Sequence, residues 1–125
     1  MLNAPVLRYS AVPDLLAEHV VGFADSPEYL RERDYSPFPG IVLSSLAGYL
    51  TRMKRETDRR PELTSGVYVV EQLVQRGDSD TTNAVVTEFF HAVANHDGEL
   101  LEALGPSARR LYDRWEESPD DPPDE

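Results

Sequence analysis

The sequence contains no cysteine, which excludes disulfides, thiolate metal ligands and a cysteine nucleophile. It is short of positive charge: 12 Lys and Arg stand against 23 Asp and Glu, a formal net charge of −11. A chain this acidic is a poor match for phosphate, so neither nucleic acid nor an anionic membrane is an expected partner. No apolar run approaches the ~20 residues that a membrane helix needs. The opening residues, Met1 to Arg8, have no basic segment followed by an apolar one, so the bacterial cytoplasm is the expected compartment. The seven glycines are scattered singly, and none builds a phosphate-cradling loop. Ser44-Ser45 and Thr64-Ser65 fall inside helical patterns without the Gly-x-Ser-x-Gly turn that exposes a serine nucleophile. Long alternation of period two is missing as well, which argues against strands.

What is present is the composition of one globular domain: 125 residues, 40 % hydrophobic and 28 % charged. The expected domain spans 1–117. The tail that follows, 118–125, is acidic and proline-rich and has no apolar side chain other than proline to offset ordering entropy, so disorder is expected there.

Periodicity and punctuation predict an all-α fold of six or seven helices. The first runs from about Pro13 to Ala24 on the stripe Leu16, Val20, Phe23, with Pro13 and Asp14 suited to a helix start. Ser26-Pro27-Glu28 reads as an N-cap, a proline at the first helical position and an acidic first turn, opening a helix to about Arg33. The stretch Asp34–Gly40 carries Pro37 and Pro39 and is expected to be non-helical. A longer helix, about Ile41 to Glu56, has Val42, Leu46, Tyr49, Leu50 and Met53 on one face. Another runs from Pro61 to Gln75, with Leu63, Val67, Val70 and Val74 as its stripe and Gly77 as its cap. Asp78 or Ser79 caps a helix to about Asn95, Asp97 begins a short one, and Gly105-Pro106 opens the last, with Trp115 sealing it down. The turn Gln75–Val85 resembles the corner of a HEAT-type helical pair, which gives a compact bundle with a HEAT-like hairpin as the expected architecture.

Metal chemistry has one candidate. Glu88 and His91 are spaced as Glu-x-x-His, a pair that di-metal bundles use twice together with two further glutamates. It occurs once here, His91 and His96 point about 140° apart on a helix, and His19 reads as a partly buried helix histidine. No metal, cofactor or catalytic residue is therefore expected, and the chain is not expected to be an enzyme.

Charge placement says more. Residues 52–60 carry Arg52, Lys54, Arg55, Arg59 and Arg60 against Glu56 and Asp58, whereas 61–104 carries eight acids against Arg76 alone. The acidic side is read either as a solvated face or as a docking surface for a basic protein. As a docking surface it would use Asp78 and Asp80 at a helical corner and Glu71 and Glu88 on the flanking helices. Asp34 and Tyr35 join them as loop contacts.

Several segments carry a resemblance. They are Val69–Val74 with Glu71, then Arg76-Gly77-Asp78-Ser79-Asp80, Asn83-Ala84-Val85, Glu88-Phe89-Phe90, Leu104-Gly105-Pro106-Ser107-Ala108-Arg109 and Trp115. They resemble a group of small, largely uncharacterised helical bacterial proteins, over roughly residues 60–117; Ser36-Pro37-Phe38 is similar to a "SPY" turn of that group, with Phe38 in place of tyrosine. Its members look like immunity proteins of polymorphic toxin systems. The resemblance implies a protein that binds a cognate toxin, whose cleft is basic, and blocks its active site or substrate entry. An interaction adaptor unconnected with toxins, or a small metal-binding bundle, are the alternatives.

Overall fold

The structure is a computed structural model that describes residues 6–35, 39–56, 58–96 and 98–117. Among these the chain is an all-α bundle of six helices, α1 to α6. Asp97 and the expected tail at 118–125 lie outside the described residues, as does Phe38.

α1 spans Val12–His19 and buries Val12 and Leu16. The expected helix to Ala24 stops five residues early. Val20 turns extended and Gly22 takes φ 78°, a left-handed conformation that glycine adopts without a Cβ penalty. A 3-10 turn, Phe23–Asp25, then drives Phe23 into the core, where its ring meets Tyr29 at 5.2 Å and Tyr49 at 5.3 Å. The shortened helix leaves His19 exposed rather than partly buried.

α2 spans Pro27–Tyr35. Ser26 caps it as expected: its Oγ accepts the Tyr29 amide at 3.1 Å and donates to the Phe23 carbonyl at 2.6 Å. Asp34 and Tyr35 belong to this helix, which corrects the non-helical expectation. Pro37 restricts only the residue before it, Ser36, and leaves Tyr35 free to stay helical. After it, Pro39–Ile41 forms a 3-10 turn in which the Gly40 amide donates to Tyr9 Oη at 3.2 Å.

α3, Val42–Arg55, is the hub. Val42, Leu43, Leu46, Ala47, Tyr49, Leu50, Thr51 and Met53 are all buried, and α3 packs on α2, on α4 and on both halves of α5. α4 spans Arg60–Arg76. Its buried face is Gly66, Val69, Val70 and Leu73, so of the expected stripe only Val70 is fully buried. Valines fall on both sides of this helix, and its inward side is set instead by close contact of Gly66 with Leu50 of α3.

α5 covers 79–95: α-helical Ser79–Ala84 and His91–Asn95 flank a π-helical turn, Val85–Phe90. The wider turn places Val85, Val86, Phe89 and Phe90 all in the core. The expected Asp78 cap is present, with Oδ1 accepting the Thr81 amide at 2.9 Å and the Thr81 hydroxyl at 2.6 Å. Gly77 is extended, φ −74° and ψ 152°, and not the left-handed cap expected of it. It pairs instead with Leu7 in an isolated parallel bridge. A 3-10 turn, Glu99–Ala103, replaces the expected short helix and buries Leu100.

α6 spans Pro106–Glu117. Tyr112 and the partly buried Trp115 stack with Phe90, at 5.2 and 6.1 Å. α4 and α5 form the expected adjacent pair, but α5 packs most extensively on α3 rather than on its hairpin partner.

Candidate docking surface

The acidic residues singled out from the sequence are mostly engaged inside the molecule. Glu71, on α4, is only 8 % exposed. Its carboxylate accepts the Ser107 amide at 2.9 Å and the Ala108 amide at 3.0 Å, which caps α6, and takes a third bond from Gln75 Nε2 at 3.0 Å. Burial pushes this carboxyl up, but the two amides and the Ser107 and Gln75 side chains outweigh it and hold it below its ordinary range. The arrangement needs Gly105: a Cβ there would lie 2.8 Å from the Glu71 carboxyl carbon. Glu71 is therefore a buried cap, which corrects its expected place on an exposed polar face.

Asp78 is similarly occupied. Beyond its bonds to Thr81, its Oδ2 accepts the Tyr9 amide at 3.2 Å. Leu7 brackets the same corner, donating to the Arg76 carbonyl at 2.8 Å and accepting from the Asp78 amide at 3.0 Å. Residues 6–11 thus form a strap across the junction of α4 and α5. The Thr81 hydroxyl bond, followed by the Thr81 and Tyr9 amides, holds the Asp78 carboxyl low against its partial burial.

The basic and acidic segments also meet each other. Arg52 forks onto Glu28 with two bonds of 2.9 Å, and Arg55 onto Glu99 with two of 2.9 Å. Arg59 bridges Glu56 at 3.0 Å and Glu62 at 3.3 Å. A cleft of about 460 Å³ lined by Met53, Lys54, Arg60 and Leu63 lies beside this last pair, with part of its cationic charge already neutralised. Asp80 and Glu102 stay exposed, and Glu88 is half-buried. His91, three residues on, stacks its ring on Trp115 at 4.9 Å. Among the described residues no group of three or more His, Asp or Glu is placed to hold a metal ion. The side chains of Asp34 and Tyr35 lie outside the described residues.

What the structure leaves open is an apolar groove between α1 and α4. α4 contributes Ser65, Tyr68, Val69, Gln72 and Arg76 to a space of about 420 Å³. Leu15 and His19 of α1 form the opposite wall, and Leu7 of the strap closes one end. Tyr68 is 62 % exposed although it lies mid-helix, and Val6, beside Leu7, is 61 % exposed. Val21 is 48 % exposed, and its amide donates to Ser65 Oγ at 2.9 Å, which places it at the other end. Three of the four large hydrophobic residues exposed among the described residues thus gather at one groove. Sequence reading missed this surface because Tyr68 lies within the run Val67–Val70 and reads there as core.

With caps, core and groove placed, the chain can be compared with known families. A family model described as Domain of unknown function (DUF7674) matches residues 13–118. The chain belongs to that family. The match takes in α1 through α6 and begins after the strap, so Leu7 and Tyr9 lie outside it. No curated protein and no solved structure matches the chain. Within the matched span, the residues that carry the resemblance noted above, Glu71, Asp78 and Gly105 among them, are the ones that cap α5 and α6.

Proposed function

We propose that this member of the DUF7674 family works by binding another protein, as an immunity protein does when it occupies its cognate toxin, and that the Tyr68 groove is the face that docks. One observation carries the reading: a tyrosine 62 % exposed in mid-helix beside a groove of about 420 Å³, with Val6 and Val21 exposed at its ends. Large aromatics held half out of the core are the usual anchors of protein interfaces, where their burial supplies most of the binding energy. The toxin is the partner favoured by the family resemblance and by net charge, since −11 draws a basic partner toward the chain.

The test is co-expression with the toxin-like protein encoded beside the gene for this chain. The wild-type chain is expected to restore growth and to co-purify with that protein. Tyr68→Asp, which adds a charge at an exposed position and leaves the core untouched, is expected to melt as the wild type does and to lose both effects. Full protection by the Tyr68→Asp variant would remove the groove from the reading, and no protection by the wild type would remove the toxin.

A further inference from the structure

The groove has a length, a wall type and a charge of its own, and together they specify a class of occupant. Its α4 side runs from Ser65 to Arg76, about 16 Å or three helical turns at 1.5 Å per residue. Its other wall is also a helix, α1. An extended peptide needs an open sheet edge, whereas two helices side by side form the trough in which a third helix lays its apolar face. The charge is unlike that of the rest of the chain. In a molecule of net charge −11, no carboxylate lines this groove, and its ionisable groups apart from the Tyr68 phenol are Arg76 and His19. Gln72 already accepts from Arg76 Nη1 at 3.0 Å, so the group it has left to offer is its Nε2 donor. The rim therefore presents donors and calls for acceptors.

Resting on the binding role proposed above, we infer that the groove takes an amphipathic helix of the partner, its apolar side chains on Leu15, Tyr68 and Val69 and its acidic side chains at the Arg76 end. The net charge of the chain does not prevent this. At physiological salt the screening length is about 8 Å, so at contact the local donors outweigh carboxylates on other faces.

The probes are two synthetic helices of about four turns with the same leucine face, one flanked by glutamates and one by lysines. Each is titrated into the full isotope-labelled chain and followed by amide shifts. The glutamate peptide is expected to bind about tenfold more tightly than the lysine peptide, with shifts centred on Leu15, Tyr68 and Gln72, and Tyr68→Ala is expected to abolish those shifts while leaving the thermal melt unchanged. Equal or tighter binding of the lysine peptide, shifts centred elsewhere, or no binding of either peptide would overturn the inference. Failure of the toxin reading is separable from this: a glutamate peptide that binds here, in a chain that protects against no toxin, upholds the groove and removes the immunity role. A toxin neutralised through Tyr68 while neither peptide binds removes the helix and keeps that role.

Discussion

Glu71 shows how a single residue can look functional for structural reasons. A carboxylate 8 % exposed would ordinarily suggest chemistry. Here Gly105 opens the space for it, Pro106 needs no acceptor, and the Ser107 and Ala108 amides are the first free donors of α6. Glu71→Ala is expected to cost about 1–3 kcal/mol in denaturant unfolding, combining a lost cap with unsatisfied buried amides. Gly105→Ala should cost a similar amount by displacing the carboxylate. Because both act on one contact, the double variant should cost clearly less than the two single changes added together; simple additivity would show that they do not share that contact. The same carboxyl makes an acid prediction. The folded-state pKa values of Glu71, Asp78 and Glu28 are all depressed, so their stabilisation is complete above the unfolded values of about 4 and is lost as pH falls through the folded ones. Melting temperature should therefore fall steeply below about pH 4. Glu71→Gln, less stable at neutral pH, should lose less over that drop than the wild type, and parallel curves would assign the acid sensitivity to other groups.

At the scale of elements, starts were easier to read than ends. Ser26, Asp78 and Gly105-Pro106 mark helix starts in the sequence and do so in the structure, because capping is local chemistry within three or four residues. The end of α1 depends on a left-handed Gly22 held beside Tyr49, whose hydroxyl donates to the Val21 carbonyl at 2.7 Å from 28 residues away. The π turn of α5 answers to core shape, since two adjacent phenylalanines must both face inward, and no helical period announces it. The strap was illegible for a related reason: it is held by backbone pairs and by an Asp78–Tyr9 bond spanning 69 residues. Asp78→Ala removes the cap of α5 and one tether of the strap together. It should cost about 1–2 kcal/mol and raise amide exchange at Leu7 and Tyr9 before that of the α3 core. Unchanged exchange at those two amides would show that the Leu7 bridge alone holds the strap.

For the whole molecule, charge and docking separate. Sequence reading placed both on one acidic face, but folding pairs Glu28, Glu56, Glu62 and Glu99 with arginines and turns Glu71 and Asp78 into caps. The apolar groove that remains lies apart from these acids. Reversing Asp78 would break a helix start as well as a charge, so it is a poor probe of electrostatics. Asp80 and Glu102 are exposed, with no hydrogen bond or ion pair, and can be reversed cleanly. If net charge steers a basic toxin and the groove then holds it, the two changes should act on different rates. Asp80→Lys with Glu102→Lys should slow association several-fold at low salt, and the effect should fade as ionic strength passes about 0.15 M. Tyr68→Ala should leave association nearly unchanged at every salt concentration and speed dissociation about tenfold or more. The measurement is the pair of rate constants against ionic strength for the wild type and both variants. A Tyr68→Ala effect confined to association, or a charge effect that persists at high salt, would show that steering and holding are not divided between the acidic surface and the groove.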